Sequence, residues 1–325
     1  MKTIALIGAG QLGSRHLQAL AKIDIPVSLQ VVEPNKDSLK IARERYLEIP
    51  ENKNISGIDF LPVIDDLNAD IALCIIATNA DVRFKVFQEL VSKKKVSYIV
   101  FEKIVFQSEK QFESAKTLIN QNGISCWANF PRRIYPIYQE LKKNIDKNEN
   151  IEFRVSGHNW GLACNGIHFI DILAFLTNDS IYKLDVFGLE PKIWPTKRAG
   201  FIELTGKLTG IFSRGSQIIL ESLSKSRAPI SISINSSHMR IDIDEVRGLE
   251  KVARRDNNWE EESFDFEVPF QSELTHLVAR EILETGMCKL TNFGESYILH
   301  VPYLEAIKAH AETIEQRKYD CCPIT

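Results

Sequence analysis

Three glycines near the start of the chain have the spacing that binds the phosphates of a dinucleotide. Residues 8–13 read GAGQLG, directly after an apolar run at 3–7 and before a helical pattern of apolar residues. In this pattern the first glycine (Gly8) permits a tight turn and the second (Gly10) lets the backbone approach a pyrophosphate. The third, Gly13, lets the helix pack closely on the strand. Because a helix N-terminus also offers unpaired N–H groups to anions, these residues predict a dinucleotide site.

An acidic residue further along indicates which dinucleotide binds. Glu33 follows the apolar run 29–32 and lies twenty positions after Gly13. A carboxylate there accepts hydrogen bonds from the adenosine ribose hydroxyls and repels a 2′-phosphate, so NAD is favoured over NADP. Two alternatives stay open: Glu33 is an ordinary polar strand end, or Lys36 turns toward a phosphate.

These residues need a parallel sheet to position them, and the first half of the chain predicts one. Up to residue 128, short β-branched runs alternate with helical patterns, which is typical of a doubly wound Rossmann sheet with helices on both faces. After about residue 150 the runs become longer and alternate apolar with polar residues, which predicts a mostly antiparallel sheet. The predicted fold class is α/β, with a Rossmann domain at 1–128 and an α+β substrate-binding domain at 129–325. The strands are predicted at 3–7, 29–32, 71–77, 96–101, 124–128, 151–156, 201–212, 218–223, 230–234, 239–243 and 264–268, and two late helices at 272–284 and 295–315.

Composition excludes several classes of partner. The chain has 40 Lys and Arg against 43 Asp and Glu, a net charge of −3, so it has no positive field for a nucleic acid. Its longest apolar runs are too short to cross a bilayer, and its start does not resemble a signal peptide. We therefore expect a cytoplasmic protein without nucleic-acid or membrane partners.

Cysteine and metal chemistry are not predicted to contribute. The six cysteines are scattered without a C-x-x-C spacing, and no His, Cys, Asp and Glu cluster has the spacing of metal ligands. We therefore predict reduced thiols and no metal. The adjacent Cys321 and Cys322 leave a metal or redox role open, against a lightly packed tail.

Further motifs follow the glycines in a fixed order. Residues 77–79 read ATN and residues 102–103 read EK, each at the end of a predicted strand, where ligands of open α/β sheets bind. Residues 132–136 read RRIYP, and residues 166–171 read GIHFID. Together with the glycines, these motifs span residues 3 to about 176. In order and spacing the chain resembles the Gfo/Idh/MocA family of NAD(P)-dependent oxidoreductases, named for glucose-fructose oxidoreductase, inositol dehydrogenase and rhizopine catabolism.

The resemblance implies a hydride transfer between the nicotinamide and a substrate carbon. Lys103 and His168 would face each other across the substrate pocket, Lys103 holding the reacting oxygen and His168 exchanging its proton. Asp171 lies one helical turn after His168. It would orient that histidine or bind a substrate hydroxyl, and the alternative is an ion pair with an arginine.

The segment before His168 suggests a carbohydrate-like substrate. Asn159, Trp160, Cys164 and Asn165 offer a stacking face and polar groups for a sugar, cyclitol or nucleotide sugar, although Trp160 can equally belong to the core. We expect oxidation or reduction at a secondary alcohol or ketone. The alternatives are reduction of an imine or a conjugated double bond, and a sensor that binds dinucleotide without turnover.

The chain departs from the family pattern at three positions. Ile104 follows Lys103 where many relatives have proline, and Cys164 stands where sugar-oxidising relatives often have aspartate. Arg83 replaces a histidine that many relatives have. It either anchors an anionic group of the substrate or lies on a helix surface.

Two further roles are expected, one in self-association and one in cofactor binding. We expect a homodimer or homotetramer that associates through the sheet of the second domain. The predicted cofactor-binding residues are Gly8, Gly10, Gln11, Leu12, Gly13, Glu33, Thr78, Asn79, Glu102 and Lys103.

Overall fold

The computed structural model describes residues 1–146 and 149–325 and divides the chain into two compact units. Unit 1 comprises Met1–Pro131 and Pro269–Ser296, and unit 2 comprises Arg132–Val268 and Tyr297–Thr325. The sequence predicts a single boundary after residue 128, whereas in the structure residues 269–296 return to unit 1. This segment returns because its helix contacts the first helix of the chain and its short strand joins the first sheet.

Unit 1 contains a seven-stranded sheet that is parallel except at one edge. Its strands, numbered along the chain, are β1 (Lys2–Ile7), β2 (Val27–Val32), β3 (Ile55–Leu61), β4 (Asp70–Ile76), β5 (Lys95–Phe101), β6 (Ser125–Ala128) and β16 (Thr291–Asn292). The strand order is β16-β6-β5-β4-β1-β2-β3, and β16 pairs antiparallel with β6. Most side chains of β1, β4 and β5 are buried, as expected for parallel strands that are covered on both faces.

The helices of unit 1 alternate with these strands. They are α1 (Gln11–Leu20), α2 (Lys36–Leu47), α3 (Ala80–Lys93), α4 (Glu109–Asn122) and α7 (Thr275–Thr285). The alternation of strand and helix gives the predicted Rossmann arrangement. It also brings the residues after β1, β2, β4 and β5 to the same edge of the sheet.

Unit 2 contains a nine-stranded, mostly antiparallel sheet with helices. Its strands are β7 (Glu152–His158), β8 (Tyr182–Asp185), β9 (Leu189–Pro195), β10 (Ile202–Phe212), β11 (Gln217–Leu223), β12 (Ser231–Asn235), β13 (Met239–Asp244), β14 (Leu249–Arg254) and β15 (Glu261–Asp265). The order is β15-β14-β13-β12-β7-β11-β10-β8, with β9 also paired to β10, and β7 and β11 are parallel. The helices are α5 (Pro136–Asn144), α6 (Leu162–Thr177) and α8 (Phe293–Glu315), of which α8 begins in unit 1. The predicted fold class is confirmed.

Five strands are absent from the sequence prediction, and one is displaced. Four of the unpredicted strands, β3, β8, β9 and β14, carry partly or fully exposed side chains at most positions and so lack a regular apolar alternation. The fifth, β16, is only two residues long. The strand predicted at 264–268 lies at Glu261–Asp265, where all five side chains are exposed. Among the helices in the described part of the chain, none is both long and apolar enough to cross a membrane.

Candidate functional site

The glycine motif forms the turn between β1 and α1, and two of its glycines are required by close packing. Gly8 has a φ of +89°, and a Cβ built on it would lie 2.8 Å from the backbone nitrogen of Thr78. A Cβ on Gly13 would lie 1.9 Å from the carbonyl oxygen of Gly8. Around Gly10, by contrast, no described atom beyond its own chain neighbours lies within 4 Å of such a Cβ. The backbone at Gly10 is therefore open to a ligand at the N-terminus of α1, where an anion is stabilised.

The first two residues of α1 lie at this N-terminus. Gln11 and Leu12 are both exposed, and the Gln11 Oε1 accepts a hydrogen bond of 2.8 Å from Arg45 Nη2. Arg45 Nη1 also donates to Ser14 Oγ at 2.5 Å. Arg45, which belongs to α2, therefore adds a positive charge beside the first turn of α1. The sequence analysis missed it because no local pattern connects α2 with this turn.

A cavity of about 520 Å³ lies over the ends of β1, β2 and β4. It begins at Gly8 and Gly10 and extends past Glu33 to apolar side chains such as Val63 and Val86. Among the described residues that line it, the only charged ones are Glu33 and Glu89. The cavity therefore has backbone that can bind an anion at one end, and an apolar wall with two acidic side chains over the rest. This combination suits a dinucleotide better than a polyanion.

Glu33 is held rigidly on the cavity wall. Its Oε2 accepts a hydrogen bond of 2.8 Å from the backbone nitrogen of Ala9, and its Oε1 accepts one of 3.0 Å from the nitrogen of Asn35. These bonds join the end of β2 to the glycine turn. The carboxylate is thus positioned before any ligand binds, which lowers the entropic cost of binding.

Thr78 and Asn79 connect β4 to α3 and also line the cavity. The backbone of Asn79 caps α3 without a side-chain hydrogen bond. The hydroxyl of Thr78 is buried and has no hydrogen-bond partner within the described part of the protein. A buried polar atom of this kind is expected where a ligand completes the hydrogen bonding. With the open backbone at Gly10, it is the second sign that these residues fit a dinucleotide.

Arg83 is only 2% exposed, so it does not lie on a helix surface. The other role considered from the sequence, an anchor for an anionic group of the substrate, stays a prediction that must account for the protein partners of the guanidinium. Arg83 Nη1 donates to the carbonyl oxygen of Glu102 at 2.6 Å and also to that of Ile104, while its Nη2 donates to that of Thr78. The guanidinium is directed at protein backbone, because the chain after β4 and the chain after β5 both run past it.

Glu102 lies in a buried hydrogen-bond network. Its Oε1 accepts from His16 Nε2 at 2.8 Å and from Asn129 Nδ2 at 2.5 Å, and His16 Nδ1 also contacts Thr275 Oγ1 at 2.8 Å. Burial opposes ionisation of Glu102, but the contacts with His16, then Asn129 and Arg83, lower its pKa below the ordinary value. The observed partners of this carboxylate are protein groups, and a direct role in cofactor binding stays a prediction.

Lys103 directly follows this network. It is half-buried, and the peptide bond between Lys103 and Ile104 is cis. From Ile104 to Phe106 the chain is fully buried. The lysine is thus carried by a backbone that Arg83 holds on one side and the core holds on the other.

In unit 2, helix α6 carries His168 and two of the predicted substrate-binding residues. Cys164, Asn165 and His168 are half-buried within the first two turns of a helix that is otherwise largely buried. The spacing i, i+4 places Cys164 and His168 on one face of the helix. Lys103 belongs to unit 1 and His168 to unit 2, so their predicted approach across a pocket stays a prediction.

Asp171 pairs with an arginine, the alternative that the sequence left open. The carboxylate has no exposed surface and receives Arg133 Nε at Oδ2 and Arg133 Nη2 at Oδ1, both at 2.8 Å. A buried bidentate ion pair of this kind fixes the orientation of both side chains. A catalytic role for Asp171 stays a prediction that must account for this pair.

Sequence reasoning missed Glu203, which lies at the start of α6. Its Oε1 accepts from the backbone nitrogen of Ala163 at 2.5 Å, and its Oε2 accepts from that of Cys164 at 3.3 Å. Burial raises the pKa of Glu203 above its ordinary value, although these N–H groups oppose the rise. A carboxylate is therefore present beside Cys164 even though residue 164 is not acidic. The sequence signal that could have found it is that Glu203 is the single acidic residue in the alternating segment 201–212.

Asn159 and Trp160 lie in the loop between β7 and α6. Trp160 is half-buried, donates from Nε1 to the carbonyl oxygen of Glu221 at 2.7 Å, and meets the ring of Phe169 edge-on at 5.4 Å. Asn159 is exposed with a φ of +40°, and Asn165 Nδ2 donates to the carbonyl oxygen of Trp160 at 3.0 Å. Trp160 thus has the contacts of a core residue on part of its surface, and substrate contact stays a prediction for this loop.

The adjacent cysteines near the C-terminus are not in a lightly packed tail. Cys322 is fully buried, burial raises the pKa of its thiol, and the next residue accepts a hydrogen bond of 2.9 Å from the backbone of Ile202 on β10. Within residues 1–146 and 149–325, no group of three or more His, Cys, Asp or Glu side chains is arranged to hold a metal ion.

Comparison with known proteins identifies the fold. The sequence matches no protein-family model, and it matches no curated protein sequence. The structure matches UDP-N-acetylglucosamine 3-dehydrogenase GnnA from Acidithiobacillus ferrooxidans with a TM-score of 0.74 and 15% identity, over 97% of this chain and 99% of that one. A Gfo/Idh/MocA family oxidoreductase from Vibrio cholerae matches with a TM-score of 0.69 and 15% identity, over 98% and 100% of the two chains.

A regulatory protein has the same fold. A super-repressor mutant of Gal80p from Saccharomyces cerevisiae matches with a TM-score of 0.72 and 13% identity, over 96% of both chains. Two other matching structures were solved with NAD⁺ and with NADP. At these identities the likeness shows the fold alone, and for the fold it confirms the resemblance that the sequence motifs indicate.

Proposed function

We propose, from the fold that this chain shares with Gfo/Idh/MocA-type oxidoreductases, that it is an NAD(P)-dependent oxidoreductase. The observation that carries the proposal is the cavity over the glycine turn, with an open backbone at Gly10 and an unsatisfied buried hydroxyl at Thr78. A nicotinamide dinucleotide bound there supplies a hydride acceptor or donor at C4 of its ring. Gly8, Gly10 and the first turn of α1 would hold its pyrophosphate.

We propose NAD as the preferred coenzyme, because Glu33 is fixed where an adenosine ribose binds in this fold. Replacing Glu33 by glutamine removes its charge at nearly constant size. We expect NADH to bind about tenfold more weakly, the cost of losing a hydrogen bond to a charged group, and the NADH to NADPH preference to fall with it. Fluorescence titration with both coenzymes measures the change.

The control for this variant is Asp37→Asn, which removes an exposed carboxylate from the first turn of α2. We expect its coenzyme preference to equal that of the wild type. An unchanged preference in Glu33→Gln would contradict the assignment of NAD.

Within this proposal Lys103 and His168 carry the proton chemistry. Lys103 donates a hydrogen bond to the reacting oxygen and stabilises negative charge that develops on it. His168 takes the hydroxyl proton during oxidation and returns it during reduction, since imidazole exchanges protons near neutral pH. The Glu203 carboxylate, held one turn earlier at the start of α6, adds negative charge to the end of the helix that carries His168.

For the substrate we propose a secondary alcohol or ketone of a sugar, cyclitol or nucleotide sugar. The exposed Asn159 and the half-buried Trp160, Cys164 and Asn165 support this class, because they offer a ring face, a thiol and amide groups on one loop and helix start. The test follows NADH absorbance in both directions with a panel of polyols, keto-sugars, nucleotide sugars, imines and enones. Turnover of a carbohydrate supports the proposal, and turnover of only an imine or enone identifies the alternative reductase.

A second candidate function is dinucleotide binding without turnover, favoured by the fold match to the repressor Gal80p. The same panel separates the two functions. A chain that binds NADH but transfers no hydride to or from any member is a sensor, and one that turns over any member is an enzyme.

Self-association through the nine-stranded sheet is a further part of the proposal. A homodimer or homotetramer is expected, and light scattering coupled to size-exclusion chromatography measures the mass directly.

A further inference from the structure

The backbone on both sides of Lys103 is held by one buried guanidinium. Arg83 Nη1 donates to the carbonyl oxygen of Glu102, directly before Lys103, at 2.6 Å, and to that of Ile104, directly after it. These carbonyl oxygens belong to the Glu102–Lys103 and Ile104–Val105 peptide groups, so the guanidinium fixes the chain directly before Lys103 and one residue after it. The position of the lysine side chain is therefore set partly by Arg83.

The same guanidinium joins two strand ends. Its Nη2 donates to the carbonyl oxygen of Thr78, and the backbone nitrogen of Arg83 donates to that of Asn79 at 3.1 Å. Thr78 follows β4 and Glu102 follows β5, and these strands are parallel neighbours. Because a guanidinium is planar and its donors have fixed directions, it fixes the spacing between the two loops as well as their orientation.

Burying an arginine at position 83 is energetically unfavourable unless its hydrogen bonds to the two loops compensate the cost. Arg83 lies on α3, one helical turn before the buried Phe87, whose ring packs against those of Phe101 and Phe106. An apolar side chain would fill the space, but it would leave the carbonyl groups of the two loops without these donors.

We propose that Arg83 is a positioning residue for the reaction: it holds the peptide groups around Lys103 at a fixed distance from the Thr78–Asn79 loop. This inference rests on the proposed function, in which Lys103 contacts the reacting oxygen and the loop after β4 borders the coenzyme. In this role Arg83 acts through the backbone carbonyl groups that it binds, and not by direct contact with substrate or coenzyme.

The test compares Arg83→Lys and Arg83→Met with the wild type. A lysine at position 83 keeps the charge but lacks the planar guanidinium with its fixed donor directions, so the two loops are held less firmly. For Arg83→Lys we expect single-turnover hydride transfer about 10- to 100-fold slower, the effect of a misplacement of about 1 Å, with the NADH dissociation constant within about threefold of the wild type. Arg280→Met is the matched control, since Arg280 lies in unit 1 but pairs with Asp24.

Hydrogen–deuterium exchange provides a readout that does not depend on turnover. In Arg83→Lys we expect about tenfold faster exchange in peptides covering 77–80 and 101–106, with α1 and β1 unchanged, and no such change in Arg280→Met. If Arg83→Met does not fold, the lysine variant still decides the question.

The outcomes are distinct. Unchanged exchange in both peptides overturns the proposal, and so does faster exchange with hydride transfer at the wild-type rate, because Arg83 is then only structural. If the wild type itself transfers no hydride, the proposed function fails. In that case the proposed role of Arg83 in the reaction fails as well, even if the exchange data show that Arg83 holds the two loops.

Discussion

Replacing Lys103 by methionine is expected to lower turnover by about 10³-fold, the loss that follows removal of a strong donor to a developing oxyanion. Methionine approximates the length of the lysine side chain but cannot donate a hydrogen bond. The cavity that we propose for the coenzyme does not include Lys103 among its described lining residues, so the NADH dissociation constant should change by less than about threefold. Steady-state kinetics and fluorescence titration measure the two quantities separately.

Lys95→Met is the matched control for this variant. Lys95 begins β5, six residues from its end, and its side chain is 84% exposed beside Asp70. We expect it to retain wild-type turnover. If Lys103→Met kept turnover within about tenfold of the wild type, Lys103 would not be the group that stabilises the reacting oxygen.

Asp171→Ala is expected to lower the free energy of unfolding by about 3–5 kcal/mol, because it leaves Arg133 buried without its counter-ion. The pair has two short contacts, and Asp171 has no exposed surface. The double variant Asp171→Leu with Arg133→Met should recover most of the loss, since apolar side chains of similar size replace a buried ion pair at little cost. Urea denaturation followed by fluorescence and circular dichroism measures each value.

The exposed pair of Lys95 and Asp70 supplies the control for the stability measurement. Both side chains are more than three-quarters exposed, so Asp70→Ala should change the free energy of unfolding by no more than about 0.5 kcal/mol. A loss below about 1 kcal/mol in Asp171→Ala would show that the pair is not structural. Asp171 would then return to consideration as a group that acts in the chemistry.

The sequence predicts the fold class and much of unit 1 because both depend on local patterns. A strand, three glycines and a helix follow one another within twenty residues, and the Glu33 position is set by the next strand. Buried strands such as β4 and β5 stand out as apolar runs. Exposed or edge strands such as β3 and β15 do not, since few of their side chains are buried and no alternation marks them.

The contacts that shape the candidate site join residues far apart in the sequence. Arg83 binds carbonyl groups 19 and 21 residues away, and backbone acceptors leave no trace in the side-chain pattern. Glu203 reaches the start of α6 from a strand about 40 residues later. The return of 269–296 to unit 1 depends on the pairing of β16 with β6, a contact that two residues form. The sequence around Asp171 suggests an arginine partner, but it does not indicate that the partner is Arg133, which lies 38 residues earlier.

All the proposed roles depend on a nicotinamide dinucleotide binding in the cavity over the glycine turn. Isothermal titration calorimetry of the purified wild-type chain with NAD⁺, NADH and NADPH tests this binding without any assumption about the substrate. We expect saturable binding of one NADH per chain, tighter than that of NADPH. No heat and no saturation with any of the three coenzymes would contradict it.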